Sequence, residues 1–159
     1  TIDCSTGLAI QPVNQVRQMT SASSNGQIAS CSSADYDYAP YYVFDYDLNR
    51  QYETWDKPDF IPVNIDLEFV TDTPYTDSYR FLIGATISAP DNWTIQGSDN
   101  GTSWTVLHTG STIFSADLEW SQVYEFSQPK VWKHLRMQAT STQSNNNRLQ
   151  IREIEYLRT

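Results

Sequence analysis

Positive charge is scarce in this chain. Ten Lys and Arg stand against nineteen Asp and Glu, giving a formal charge of −9. Nucleic acid and anionic membrane surfaces are bound through clustered Lys and Arg, so neither is an expected partner. No apolar run reaches the length of a bilayer span, so no membrane insertion is expected. Cysteine is limited to Cys4 and Cys31 and histidine to His108 and His134. With no CxxC pair and no Cys-His spacing, a zinc centre is not expected. Each histidine reads as surface or structural. Ser98 lacks the setting of a nucleophile elbow. A glycosidase needs two carboxylates facing each other across a cleft, and no such pair can be assigned among nineteen acids. No cofactor motif and no stretch of helical period occurs, so an enzyme is not expected. No leader-like segment precedes Thr1, and the chain reads as a mature or excised piece.

What the sequence does have is aromatic residues, 13% of the chain, with ten Tyr and five Trp. Rings with a polar edge suit sheets and exposed binding faces. At 159 residues the chain fits one domain, spanning 1–159, with room for a sizeable core. The stretch VNIDLEF alternates strictly: Val63, Ile65, Leu67 and Phe69 face one way, Asn64, Asp66 and Glu68 the other. YRFLIGATI is evenly apolar and reads as a central strand. WTIQGS, WTVLHT, VYEFS, HLRMQAT and LQIREIEYL add more strands, separated by turn signals such as Pro90-Asp91 and Asn100-Gly101. The expected fold is all-β, a sandwich or barrel. Trp55, Trp93 and Trp104 occupy strand-like positions and read as core. The last strand carries an anomaly. Glu153 and Glu155 share parity with Leu149, Ile151 and Leu157, whereas Ile154 and Tyr156 take the other. Either a bulge slips the register, or Glu153 points inward and needs a cation or an arginine. Cys4 and Cys31 are either a disulfide, constraining the unfolded chain by roughly 3–4 kcal/mol, or two buried thiols.

The order Phe44-Asp45-Tyr46-Asp47, Thr54-Trp55, VNIDLEF, PDNWTIQGSDNGTSWTVL, KHLRMQAT and LQIREIEYL resembles the coagulation-factor type C, or discoidin-like, domain family and the related family-32 carbohydrate-binding modules. The resemblance runs over 19–157, leaving 1–18 as an N-terminal extension. It implies a jelly-roll β-sandwich of about eight main antiparallel strands, mostly non-catalytic, that binds glycans, phospholipid head groups or proteins through loops at one end. There are two departures. Tyr46 stands where the family usually has glycine, and the stretch from Asp47 to Trp55 is about two residues longer than usual. GATISAP carries no arginine, so galactose specificity does not carry over.

Asp45, Asp47 and Asn49 alternate, a spacing that lets oxygens converge on a hard cation. The resemblance implies a structural calcium held by this loop, by Thr54 and by Glu153. The other reading is a solvated acidic loop. For sugar recognition the candidates are loop aromatics and amides: Tyr36, Tyr38, Tyr41, Tyr75, Trp120, Asn145, Asn146 and Asn147. The leading expectation is a non-catalytic, calcium-stabilised carbohydrate-binding module with a glycan or glycoconjugate as partner. It would be extracellular or surface-exposed on a secreted protein, cell or virion, and joined to other domains of a larger multidomain or multimeric protein. The alternative is a structural or protein-interaction domain of a surface or phage tail protein. Phospholipid binding would need a ring of basic residues that this composition lacks.

Overall fold

The computed structural model of the chain describes residues 11–32, 39–53, 62–144 and 148–159. Among them are eleven strands: β1 (Val13–Asn14), β2 (Ser23–Ser24), β3 (Gln27–Cys31), β4 (Tyr52–Glu53), β5 (Val63–Phe69), β6 (Tyr75–Ile83), β7 (Pro90–Ser98), β8 (Thr105–Ser111), β9 (Tyr124–Val131), β10 (His134–Thr142) and β11 (Gln150–Arg158). Three of these are two-residue pieces, which leaves eight main strands, as expected. Short 3₁₀ turns lie at Pro40–Phe44 and Thr86–Ser88.

The strands form two antiparallel sheets. One has the order β1-β11-β6-β9, with β4 also on β11; the other runs β2-β3-β5-β10-β7-β8. From β5 onward the chain passes repeatedly between the sheets, so the two inner faces share one jelly-roll core. Alternation decides which side chains enter it. On β5 all four apolar residues are buried and the three polar ones are not. On β10, Leu135, Met137 and Ala139 point inward, while His134, Arg136 and Gln138 point outward. Val16 and Met19 are also buried in this core, and β1 pairs with β11, so residues 13–19 are built into the sandwich. Residues 1–10, with Cys4, lie outside the described residues. Cys31 ends β3 half-buried against the core.

The Asn100-Gly101 turn joins β7 to β8 as read, with Gly101 at φ +74°. A second hairpin, β2 to β3, turns through Asn25 and Gly26, both at positive φ. That is the geometry an Asn-Gly pair favours between strands.

Of the tryptophans expected in the core, one departs from the expectation and Trp55 lies outside the described residues. Trp93 is core, but Trp104 is half-buried on the outer surface, and the buried ring at that end is Trp132. A register shift between Ile95 and Gln96 in the β7–β8 pairing accompanies the change: Leu107 enters the core and Val106 is exposed. Trp132 lies directly over Gly97, where a side chain would overlap its ring.

Trp93 also anchors a polar relay. Its indole N–H donates to Tyr79 Oη at 2.7 Å, and Tyr79 Oη lies 2.7 Å from His108 Nδ1. The Tyr79 hydroxyl, which accepts from Trp93, can also give its own proton to Nδ1 of a neutral imidazole that carries its hydrogen on Nε2. Burial lowers the His108 pKa below its ordinary value. The unfolded chain therefore takes up this proton first. The stability contributed is present above the unfolded value of about 6.5 and is lost as pH falls through the folded one. We expect the gap in melting temperature between wild type and His108→Phe to shrink from pH 7.5 to about pH 5; a gap constant with pH would show that His108 does not titrate with unfolding.

Candidate functional site

The first element is acidic and buried. After the Pro40–Phe44 turn the chain doubles back through Asp45-Tyr46-Asp47. Tyr46 adopts φ +62°, a left-handed conformation that a bulky residue adopts only at a cost. This explains why glycine suits the position. Here the ring compensates: the Tyr46 hydroxyl donates to the Val16 carbonyl. The turn lays Asp45, 4% exposed, near Glu153, 2% exposed.

Glu153 reaches that place through a bulge. In the β11–β6 pairing Ile151 meets Ile83 and Glu153 meets Leu82, so Arg152 is the extra residue. The slip sends Ile154 and Tyr156 into the core together with Ile151. Glu153 falls on the outer side with Glu155 and Arg80 rather than in the core. It is still buried, and neither of its carboxylate oxygens has a hydrogen-bond partner among the described residues. Burial, then the charges of Asp45 and Glu155, push its pKa up to about 9; the Tyr46 backbone N–H opposes this from outside hydrogen-bond geometry. The Asp45 pKa is also raised, mainly by burial.

The alternating oxygens of the loop do not all converge on this point. Asp45 Oδ1 accepts from the Asp47 N–H at 2.8 Å, and Asp47 Oδ1 accepts from the Asn49 N–H at 3.0 Å, which makes two successive side-chain-capped turns. Arg50 lies 3.5 Å from both Asp45 Oδ2 and Asp47 Oδ2. Asn49 is exposed. Among the described residues no three acidic, His or Cys side chains gather at one point. Thr54 lies outside them.

The second element is a groove of about 410 Å³ beside this pair, lined by Tyr46, Leu48, Arg80, Trp120, Glu153 and Glu155. Arg80 lies 4.4 Å from the centre of the Trp120 ring and donates through Nε to Glu155 at 2.5 Å. The guanidinium is thus fixed in orientation by a carboxylate and an aromatic face. A planar ring, a forked donor and a carboxylate in one concavity can bind a ligand with an apolar face and several hydroxyls. The sequence reading identified Trp120 but not Arg80, Glu155, Tyr46 or Leu48. Arg80 did leave a signal, as the lone cation within an apolar strand.

The other ligand candidates lie apart. Tyr75 is exposed at the start of β6, with Arg158 5.7 Å from its ring centre, whereas Trp120 bridges to Leu82 near the end of the same strand. Tyr41 is half-buried against the core, edge-on to Tyr42. Tyr36, Tyr38, Asn145, Asn146 and Asn147 lie outside the described residues. The loop of GATISAP is tied to the 112–119 segment: the Thr86 N–H and hydroxyl both donate to Asp117, and the Leu118 N–H donates to the Gly84 carbonyl. At this end Ile87, Leu118 and Ile113 are exposed, Ile113 to 83%.

No protein-family model matches the sequence, and no curated protein matches it. Solved structures do match in fold. The family 32 carbohydrate-binding module of Clostridium perfringens NanJ, solved in complex with galactose, superposes with a TM-score of 0.69 at 13% identity, over 84% of this chain and 94% of that one. Another family 32 module from Clostridium perfringens, in complex with GalNAc-β-1,3-galactose, gives 0.69 at 15% identity, over 82% and 94%. The F5/8 type C domain of a Bacteroides fragilis protein gives 0.65 at 15% identity, over 84% and 91%. At these identities the likeness is one of fold.

Proposed function

We propose that this chain, whose sandwich has the fold of the family 32 carbohydrate-binding modules and the F5/8 type C domains, is a non-catalytic carbohydrate-binding module. The observation that carries the reading is the groove in which Trp120, Arg80 and Glu155 hold one another in place. In it the indole takes the C–H face of a sugar, and the free edges of the guanidinium and carboxylate take hydroxyls. An open site of this size binds a single sugar with a Kd of about 0.1–10 mM. Useful attachment then needs several copies or further domains, which suits an extracellular or surface-exposed parent protein. A glycan array followed by calorimetry on the hits tests the reading. Trp120→Ala is expected to weaken binding about tenfold, the scale of one aromatic contact. If no glycan is bound at any valency, the reading falls.

In the same reading the module is stabilised by calcium. Asp45 and Glu153 would hold the ion, with Asp47, Asn49 and Thr54 as the remaining candidate ligands. Two buried carboxylates side by side, one with no partner for either oxygen among the described residues, form a donor set that suits a hard cation.

One observation favours a second reading, a structural or protein-interaction domain of a larger surface or phage tail protein. Ile87, Ile113 and Leu118 expose apolar surface at loops where hydroxyls and amides would serve solubility better. Solution mass and cross-linking of the intact parent distinguish this reading from the first.

A further inference from the structure

Trp104 stands outside the core on the outer face of the six-stranded sheet, and we propose that it anchors a second saccharide subsite there, selective for neutral sugars. The inference rests on the carbohydrate-binding reading but concerns a different sheet from the Trp120 groove. Trp104, Ser30, Asp66, Glu68, His134 and Arg136 line a concavity of about 230 Å³.

Its polar groups are held before any ligand arrives. Arg136 on β10 lies opposite Asp66 on β5 and donates to it through two nitrogens, at 2.7 and 2.8 Å. The guanidinium so fixed lies 3.9 Å from the Trp104 ring centre, and His134 meets the same ring edge-on at 6.3 Å. The indole therefore has one face covered and one orientation, and its remaining surface lines the concavity. Locking of this kind lowers the entropic cost of binding.

Charge selects the ligand class. Arg136 neutralises Asp66, and Lys133 stands 3.4 Å from Glu68. The concavity thus presents forked donors and acceptors with its charges already matched. An anionic sugar would have to break a pair, whereas a neutral one need not. The same face continues into an amide row: Gln138 donates to Asn64 at 2.9 Å and Gln96 to Thr94 at 2.9 Å, on strands adjacent in the sheet. Neighbouring strands lie about 4.8 Å apart, so this row could carry a saccharide chain onward from Trp104.

The test follows the indole N–H resonances of the full chain during titration with lactose, cellotetraose, mannotetraose and, as the charged control, trigalacturonate. It is run on wild type, Trp120→Ala, Trp104→Ala and Trp104→Phe, the last keeping a ring should the alanine variant unfold. The expected result is that a neutral probe shifts the Trp104 resonance even in Trp120→Ala. In that background, losing the Trp104 ring should raise Kd about tenfold, with Trp104→Phe intermediate. Shifts at Trp120 alone overturn this subsite and leave the groove standing. Shifts at Trp104 alone remove the groove and keep the subsite. No shift with any neutral probe overturns both, and an unchanged Kd in both Trp104 variants overturns the subsite.

Discussion

Chelating calcium is expected to lower the melting temperature of the wild-type protein, and Glu153→Gln is expected to abolish that response while stabilising the chelated form. Glu153 is a buried carboxyl with no partner for either oxygen among the described residues and with Asp45 and Glu155 nearby. Without metal the carboxyl is held as the neutral acid, its pKa raised to about 9. The unfolded chain releases that proton at about pH 4.3. The folded state thus binds more protons between these values, and its stability falls as pH rises through the window. At neutral pH the loss relative to acidic pH is about 3 kcal/mol. Glutamine keeps the neutral shape without the proton, so the chelated variant should gain up to about 3 kcal/mol, or on the order of 10 °C for a domain of this size. In the proposed calcium-bound state the ion would take the place of the proton, which should flatten the pH slope. Melting curves of both proteins with calcium and with chelator, at pH 5 to pH 8.5, decide it. Superimposable wild-type melts with and without chelator would remove calcium from the account.

Gly110→Ala is expected to destabilise the fold by about 3 kcal/mol. An added Cβ would overlap the indole of Trp93, with Nε1 at 2.6 Å among the atoms struck. That ring is fully buried, its N–H is committed to Tyr79, and it packs edge-on against Phe81 at 5.1 Å between centroids. It cannot retreat without breaking the relay to His108 as well. Gly101 is a useful contrast: a Cβ there meets His134 at 3.3 Å, so its cost comes from φ +74° rather than from overlap. Urea unfolding of the Gly110 variant measures the effect. A change below about 0.5 kcal/mol, the scale of an ordinary surface substitution, would show that Trp93 is not fixed as described.

Much of this was legible in the chain because sheet period is a local property. VNIDLEF and HLRMQAT announce their faces by alternation alone, and each buries the residues that alternation selects. Asn100-Gly101 announces its turn, and Asn25-Gly26 carried the same signal and could have been read. The parity conflict at Glu153 correctly pointed to a bulge. What parity could not supply was the direction of the slip or the cover above it. Trp104 was misread for a related reason: a register shift in the β7–β8 pairing reverses which of two neighbours faces inward, and nothing within SWTVL marks it. Tyr46 was noticed as a substitution for glycine, but its positive φ and its bond to Val16 depend on residues thirty positions apart.

The sequence by itself determined the all-β fold class and most of the core, because each strand's inner face is written in its own alternation; the count of eight main strands came from the family resemblance. Through its charge it also set the expectation that nucleic acid and anionic membranes are not partners. Only the tertiary structure decided where side chains from different strands meet: Asp45 beside Glu153, Arg80 between Trp120 and Glu155, and Arg136 between Trp104 and Asp66. Such meetings join residues far apart in the chain and depend on register, and a shift of one residue in register moves every side chain of a strand to the other face.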